Sequence, residues 1–60
     1  MRALSARQRE VATLISLGLS NSEIADRLGI SLATVKDHVH QMLKRTGLRS
    51  RGALAAAMRR

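Results

Sequence analysis

Four serines and three of the four glycines constrain this 60-residue chain more than any other feature. Ser5, Ser20, Ser31 and Ser50 each stand just before a run of apolar residues at helical spacing. Gly18, Gly29 and Gly47 each lie two or three residues ahead of one of the last three serines. A serine hydroxyl before a helix accepts a hydrogen bond from a backbone N–H that has no partner inside the helix. Glycine takes the left-handed backbone that ends a helix. Two of the starts are doubled into capping boxes, Ser5 with Gln8 and Ser20 with Glu23. The runs they open carry Val11, Leu14 and Ile15, then Ile24, Ala25 and Leu28, and in the last segment Ala53, Leu54, Ala57 and Met58. Leu19 and Ile30 follow glycine stops as apolar corner residues. The expected architecture is all-α: a compact four-helix domain over residues 1–60, with helices at about 5–17, 21–28, 32–46 and 51–59.

Composition sets the limits of such a domain. There is no cysteine, aromatic residue or proline, so the core is built from Leu, Ile, Val, Met and Ala, with no disulfide or zinc-thiolate staple. A chain this short has no volume to spare for an enclosed catalytic cavity. Its only carboxylates are Glu10, Glu23, Asp26 and Asp37. Glu23 is assigned to a cap, and Glu10 is expected in a structural ion pair, with Arg45 as the candidate partner. His38 and His40 are two residues apart and point to different sides of a helix, with no third ligand in view. These features argue against an enzyme, a metal site or a cofactor. No apolar run reaches the ~20 residues of a membrane-spanning helix and no signal-peptide pattern leads the chain, so the expected location is the cytoplasm and no membrane partner is expected.

The net charge of +7 is concentrated at one end. Residues 1–30 hold Arg2, Arg7, Arg9 and Arg27 against Glu10, Glu23 and Asp26. Residues 31–60 hold Lys36, Lys44, Arg45, Arg49, Arg51, Arg59 and Arg60 against Asp37 alone. By itself this asymmetry fits a polyanion-binding surface or a merely solubilising one. The connection between the second and third helices adds weight to the first reading. It is Gly29-Ile30-Ser31, a three-residue turn with a glycine, as a helix-turn-helix requires, and Ala25 is small where the two helices would approach. On a helical wheel, Val35, Val39, Met42 and Leu43 form one stripe of the third helix. Ala33, Lys36, Asp37, His40 and Lys44 fall opposite, with Thr34 and Gln41 on the flank. That polar face starts at the helix N-terminus, where free N–H groups and the positive dipole end favour phosphate.

Several separated segments carry a family resemblance: Leu4-Ser5-Ala6-Arg7-Gln8-Arg9-Glu10-Val11, Gly18-Leu19-Ser20-Asn21-Ser22-Glu23-Ile24-Ala25, Ile30-Ser31, Thr34-Val35-Lys36-Asp37-His38-Val39 and Gly47-Leu48-Arg49-Ser50-Arg51. From about residue 4 to residue 57 the chain resembles the LuxR/FixJ/NarL/GerE-type C-terminal effector domains of bacterial transcription regulators. The resemblance implies sequence-specific binding of double-stranded DNA, with the third helix in the major groove. It implies base contacts from Ala33, Lys36, Asp37 and His40. It implies backbone contacts from Asn21, Ser31, Thr34 and Lys44, to which Gln41 is added from its place on the flank. It also implies that the fourth helix supplies a homodimer contact, for which the stripe of Ala53, Leu54, Ala57 and Met58 is the candidate and a weak dimer the expectation; a regulatory domain and RNA polymerase are the further partners expected. The chain departs from many relatives at Ala6, where they have proline, and from some at Ala33, where they have a basic residue. It reads either as an excised effector domain of a response regulator or as a stand-alone regulator.

For single residues two roles stay open. Lys36 is suited to donate to guanine O6 or N7, or to clamp a phosphate. Asp37 is suited to accept from a cytosine amino group, or to complement the helix dipole and pair with Lys36. His40 is either a donor to DNA or a plain exposed histidine. The apolar stripe of the fourth helix either covers the core or meets a symmetry mate. A sigma-factor-like promoter-recognition module is the alternative within DNA binding. A basic protein-interaction or membrane-surface module is the alternative outside it, although short stripes broken by glycine corners give no continuous apolar face.

Overall fold

Serine hydroxyls start each of the four helices among the described residues. Ser5 Oγ accepts the Gln8 N–H at 3.2 Å while Gln8 Oε1 takes the Ser5 N–H at 3.1 Å. Ser20 and Glu23 do the same at 3.1 and 2.8 Å. Ser31 and Ser50 accept from Thr34 N and Ala53 N, each at 3.1 Å. The computed structural model describes residues 4–59. Residues 1–3 and 60, the ends of the domain expected over 1–60, lie outside the described residues. The helices are α1 (Ala6–Ser16), α2 (Asn21–Leu28), α3 (Leu32–Thr46) and α4 (Arg51–Met58), and no strand occurs among the described residues.

The middle two helices match the expected spans. The outer two are shorter, for a reason that lies in the caps. Ser5 is extended, so α1 begins at Ala6 without the proline that many relatives carry there. Leu17 closes α1 as its cap, with Gly18 at φ +90° just beyond. The Leu19 N–H then reaches back to the Leu14 carbonyl at 3.1 Å, satisfying an acceptor the helix leaves open. Arg59 is likewise the cap of α4 and not part of it.

The core is aliphatic, as the composition requires. Val11, Ala12 and Ile15 of α1 meet Ile24 and Ala25 of α2, Val35 and Met42 of α3, and Leu54 and Ala55 of α4, with Leu4 sealing one end. α1 packs on all three other helices, and α2 packs on α3, whereas α2 and α4 do not pack on each other. The inward stripe of α3 is centred on Val35 and Met42, which are fully buried. Val39 and Leu43 are half-buried beside them. Ala25 is buried between the helices, where a small residue was expected.

One expectation is overturned here. Leu54 was assigned to a dimer contact, yet its side chain has 0% of its surface exposed and packs inside the domain. A side chain closed off by α1 and its own helix has nothing left to offer a second copy. Ala53, Ala57 and Met58 are half-buried along the same helix.

Candidate nucleic-acid interface

The turn from α2 into α3 is set by three residues with different tasks. Gly29 closes α2 with φ +69° and ψ 34°, a left-handed conformation that costs a residue with a Cβ about 1 kcal/mol or more. Ile30 donates its N–H to the Ala25 carbonyl at 3.0 Å and packs its side chain on the core. Ser31 is extended and caps α3. The connection thus anchors α3 at its beginning, while Val35 and Met42 anchor it along its length.

With the inner side so fixed, the opposite side of α3 faces out. Ala33, Lys36, Asp37, His40, Gln41 and Lys44 are all exposed, as are Ser31 and Thr34 at the start of the helix. Seven α3 residues expected at the site therefore share one continuous outer surface with Ser31. Among the described residues neither Lys36 nor Lys44 makes an ion pair, and Asp37 is not paired with Lys36. Ser31 Oγ and Thr34 Oγ1 share a hydrogen bond at 2.8 Å. Two hydroxyls have two hydrogens, and this bond uses one of them, so the pair keeps one donor for an outside acceptor. The first N–H groups of α3, those of Leu32 and Ala33, precede the first intrahelical bond and add the positive end of the helix dipole. Leu32, at 40% exposure, gives this end an apolar edge.

Asn21 lies apart from α3, at the first position of α2 and half-buried. Its side-chain oxygen is engaged by Arg51, whose guanidinium also donates to the Leu19 carbonyl at 2.5 Å. The expected DNA-backbone residue is therefore joined to α4 by a residue to which the sequence reading gave no role. The signal for Arg51 was faint. A cation at a helix's first position opposes the dipole, and such local conflict marks a tertiary purpose. At the same corner, the Ser20 backbone N–H and then its hydroxyl hold the Glu23 carboxyl below its ordinary value.

Glu10 does pair with an arginine, but not with the expected candidate, Arg45. Its partner is Arg7, one turn earlier, at 3.9 Å with both side chains well exposed. Arg45 instead reaches Gln8 Oε1 at 3.5 Å. The reason is angular: Glu10 is about 200° around the helix from Gln8, and Gln8 is the residue turned inward, with only 3% of its surface exposed. His38 is half-buried and His40 exposed, and among the described residues no three His, Cys, Asp or Glu side chains converge as metal ligands would. No described helix is long and apolar enough to cross a membrane.

Comparison with known proteins bears on this geometry. The family model described as bacterial regulatory proteins, luxR family, matches residues 2–58. The nitrate/nitrite response regulator protein NarL of Escherichia coli is 50% identical over 48 residues, which is 80% of this chain and 22% of that protein. The two-component response regulator PprB of Pseudomonas aeruginosa is 47% identical over 55 residues, 92% of this chain and 20% of PprB. The oxygen regulatory protein NreC of Staphylococcus aureus is 38% identical over 53 residues, 88% of this chain and 24% of NreC. The chain thus spans about a quarter or less of the length of these curated relatives.

Proposed function

The chain belongs to the luxR family of bacterial regulatory proteins, and from that premise we propose that it regulates transcription by placing α3 in the major groove of double-stranded DNA. The observation that carries this reading is the outer surface of α3. Its polar and cationic side chains have been left to solvent, and they begin at a free helix N-terminus presented by a helix-turn-helix corner. Lys36, Asp37, His40 and Ala33 lie on the first two turns or just after and are assigned to base edges. Asn21, Ser31, Thr34, Gln41 and Lys44 are assigned to the sugar-phosphate backbone. Two copies pair weakly on adjacent half-sites through α4, by the half-buried Ala53, Ala57 and Met58. In a full-length regulator of the cytoplasm this domain is the output half, joined to a regulatory domain and acting on RNA polymerase. Its work is recognition and not catalysis.

The test separates base reading from phosphate clamping. Lys36 and Lys44 both project from the outer side, but Lys44 is eight residues, or roughly 12 Å, further along the axis. Lys36→Ala should cost about 1–2 kcal/mol on a site selected from random DNA and little on mixed-sequence duplex. Lys44→Ala should weaken both DNAs alike and reduce the slope of log affinity against log salt by about one. Equal losses for both variants on both DNAs would make Lys36 a second phosphate clamp and remove it from base reading.

A further inference from the structure

Arg51 is locally misplaced and globally useful. As the first residue of α4 it sits at the positive end of its own helix, where a cation is disfavoured. Its guanidinium leaves that helix and crosses to the α1–α2 corner. There Nη1 donates to Asn21 Oδ1 and Nη2 to the Leu19 carbonyl. α2 and α4 do not pack on one another, so among the described residues this contact is the bridge between them.

The bridge has a chemical consequence at Asn21. A guanidinium is all donor, so it binds only the oxygen end of the amide and thereby settles which way the amide is turned. The N–H2 end is left as the end Arg51 does not hold. It stands at the first position of α2, beside backbone N–H groups that precede the first intrahelical bond. We propose that Arg51 is a positioning residue for DNA binding: it locks the Asn21 amide so that its N–H2 group is presented to a phosphate oxygen. This rests on the assignment of Asn21 to the DNA backbone. Arg51 itself is half-buried and acts through Asn21. The arrangement also makes a phosphate contact of α2 depend on the seating of α4.

The experiment measures affinity for a duplex of mixed sequence across a salt series, with this chain, Asn21→Ala, Arg51→Lys and the double variant. Arg51→Lys keeps the charge and loses the fork, so the salt slope should not change. Each single variant should lose affinity about fivefold, the effect of one hydrogen bond, and the double variant should lose no more than the worse single. The Asn21 side-chain amide resonance should move to the position of a free amide in Arg51→Lys. Asn21→Asp guards against misfolding, because it keeps a partner for Arg51 and suits a helix N-terminus. It should melt no lower than the parent yet bind DNA at least as poorly as Asn21→Ala. A neutral Asn21→Ala overturns the backbone contact and the proposal with it. A harmful Asn21→Ala with a neutral Arg51→Lys, or losses that multiply in the double variant, overturns the positioning role alone. Parent-like binding by Asn21→Asp shows that the N–H2 group is not the donor.

Discussion

α3 and α4 rest against the same core and offer different things to the outside. α3 buries Val35 and Met42 and exposes lysines, a carboxylate, a histidine and amide groups on the opposite side. α4 buries Leu54 and Ala55, half-buries Ala53, Ala57 and Met58, and exposes Gly52 and Ala56. The first is a helix with two chemically distinct faces, and the outer one is free to meet a ligand. The second has almost no polar contrast between faces. It closes the core and, through Arg51, braces the corner ahead of α2. A helix that works on a ligand needs its core side to be strong and narrow, so that the rest of its circumference is spare. A helix whose main task is to close a core needs neither.

The largest expected effect tests the assignment of α4. Leu54→Ala should destabilise the domain by about 2–5 kcal/mol, which approaches all the stability so small a core supplies. Ala56→Gln, on the exposed side of the same helix, should stay within about 0.5 kcal/mol of the parent. Thermal unfolding followed by circular dichroism reads both. A Leu54→Ala variant that melts with the parent would restore Leu54 to the surface and erase the contrast with α3.

The next effect sharpens the phase of α3. Val35→Ala should cost about 2 kcal/mol, because it empties a fully enclosed site. Val39→Ala should cost about 1 kcal/mol, because its side chain is only half covered. Denaturant midpoints at constant slope give the ranking. The reverse order would rotate the inner stripe and carry the outer face, Lys36 included, with it.

The smallest effect concerns what supports each helix against acid. The cap of α2, which leads into α3, contains an ionisable partner, whereas the box that starts α1 uses Gln8 and the cap of α4 uses Ser50 alone. Glu23 has its carboxyl held below the ordinary value in the folded state. Its contribution to stability is therefore complete above the ordinary value and is lost as pH falls through the lower, folded one. In an acid titration the Ser20 amide resonance should move while that of Ser5 stays in place. Glu23→Gln should abolish the movement. A Ser5 response equal to that of Ser20 would mean the whole domain loosens together.

Much of this molecule is already present in local chemistry. Ser5, Ser20, Ser31 and Ser50 start helices because each hydroxyl can reach a backbone N–H three residues on, and the glycines stop them because few other residues tolerate a left-handed backbone. These are interactions within one turn, so neighbouring residues alone determine them. The outer face of α3 was equally legible, since polar and apolar residues alternate there with helical period. Tertiary structure decided what local rules leave degenerate. In α4, alanines on every side hide which stripe is inward, and only the position of α1 shows that Leu54 is enclosed. Arg45 meets Gln8 across 37 positions, and Arg51 meets Asn21 across 30. Arginine is long and flexible, and its charge makes several partners attractive at a distance. Which acceptor it finds depends on where the fold sets that acceptor down, and no local spacing rule encodes that.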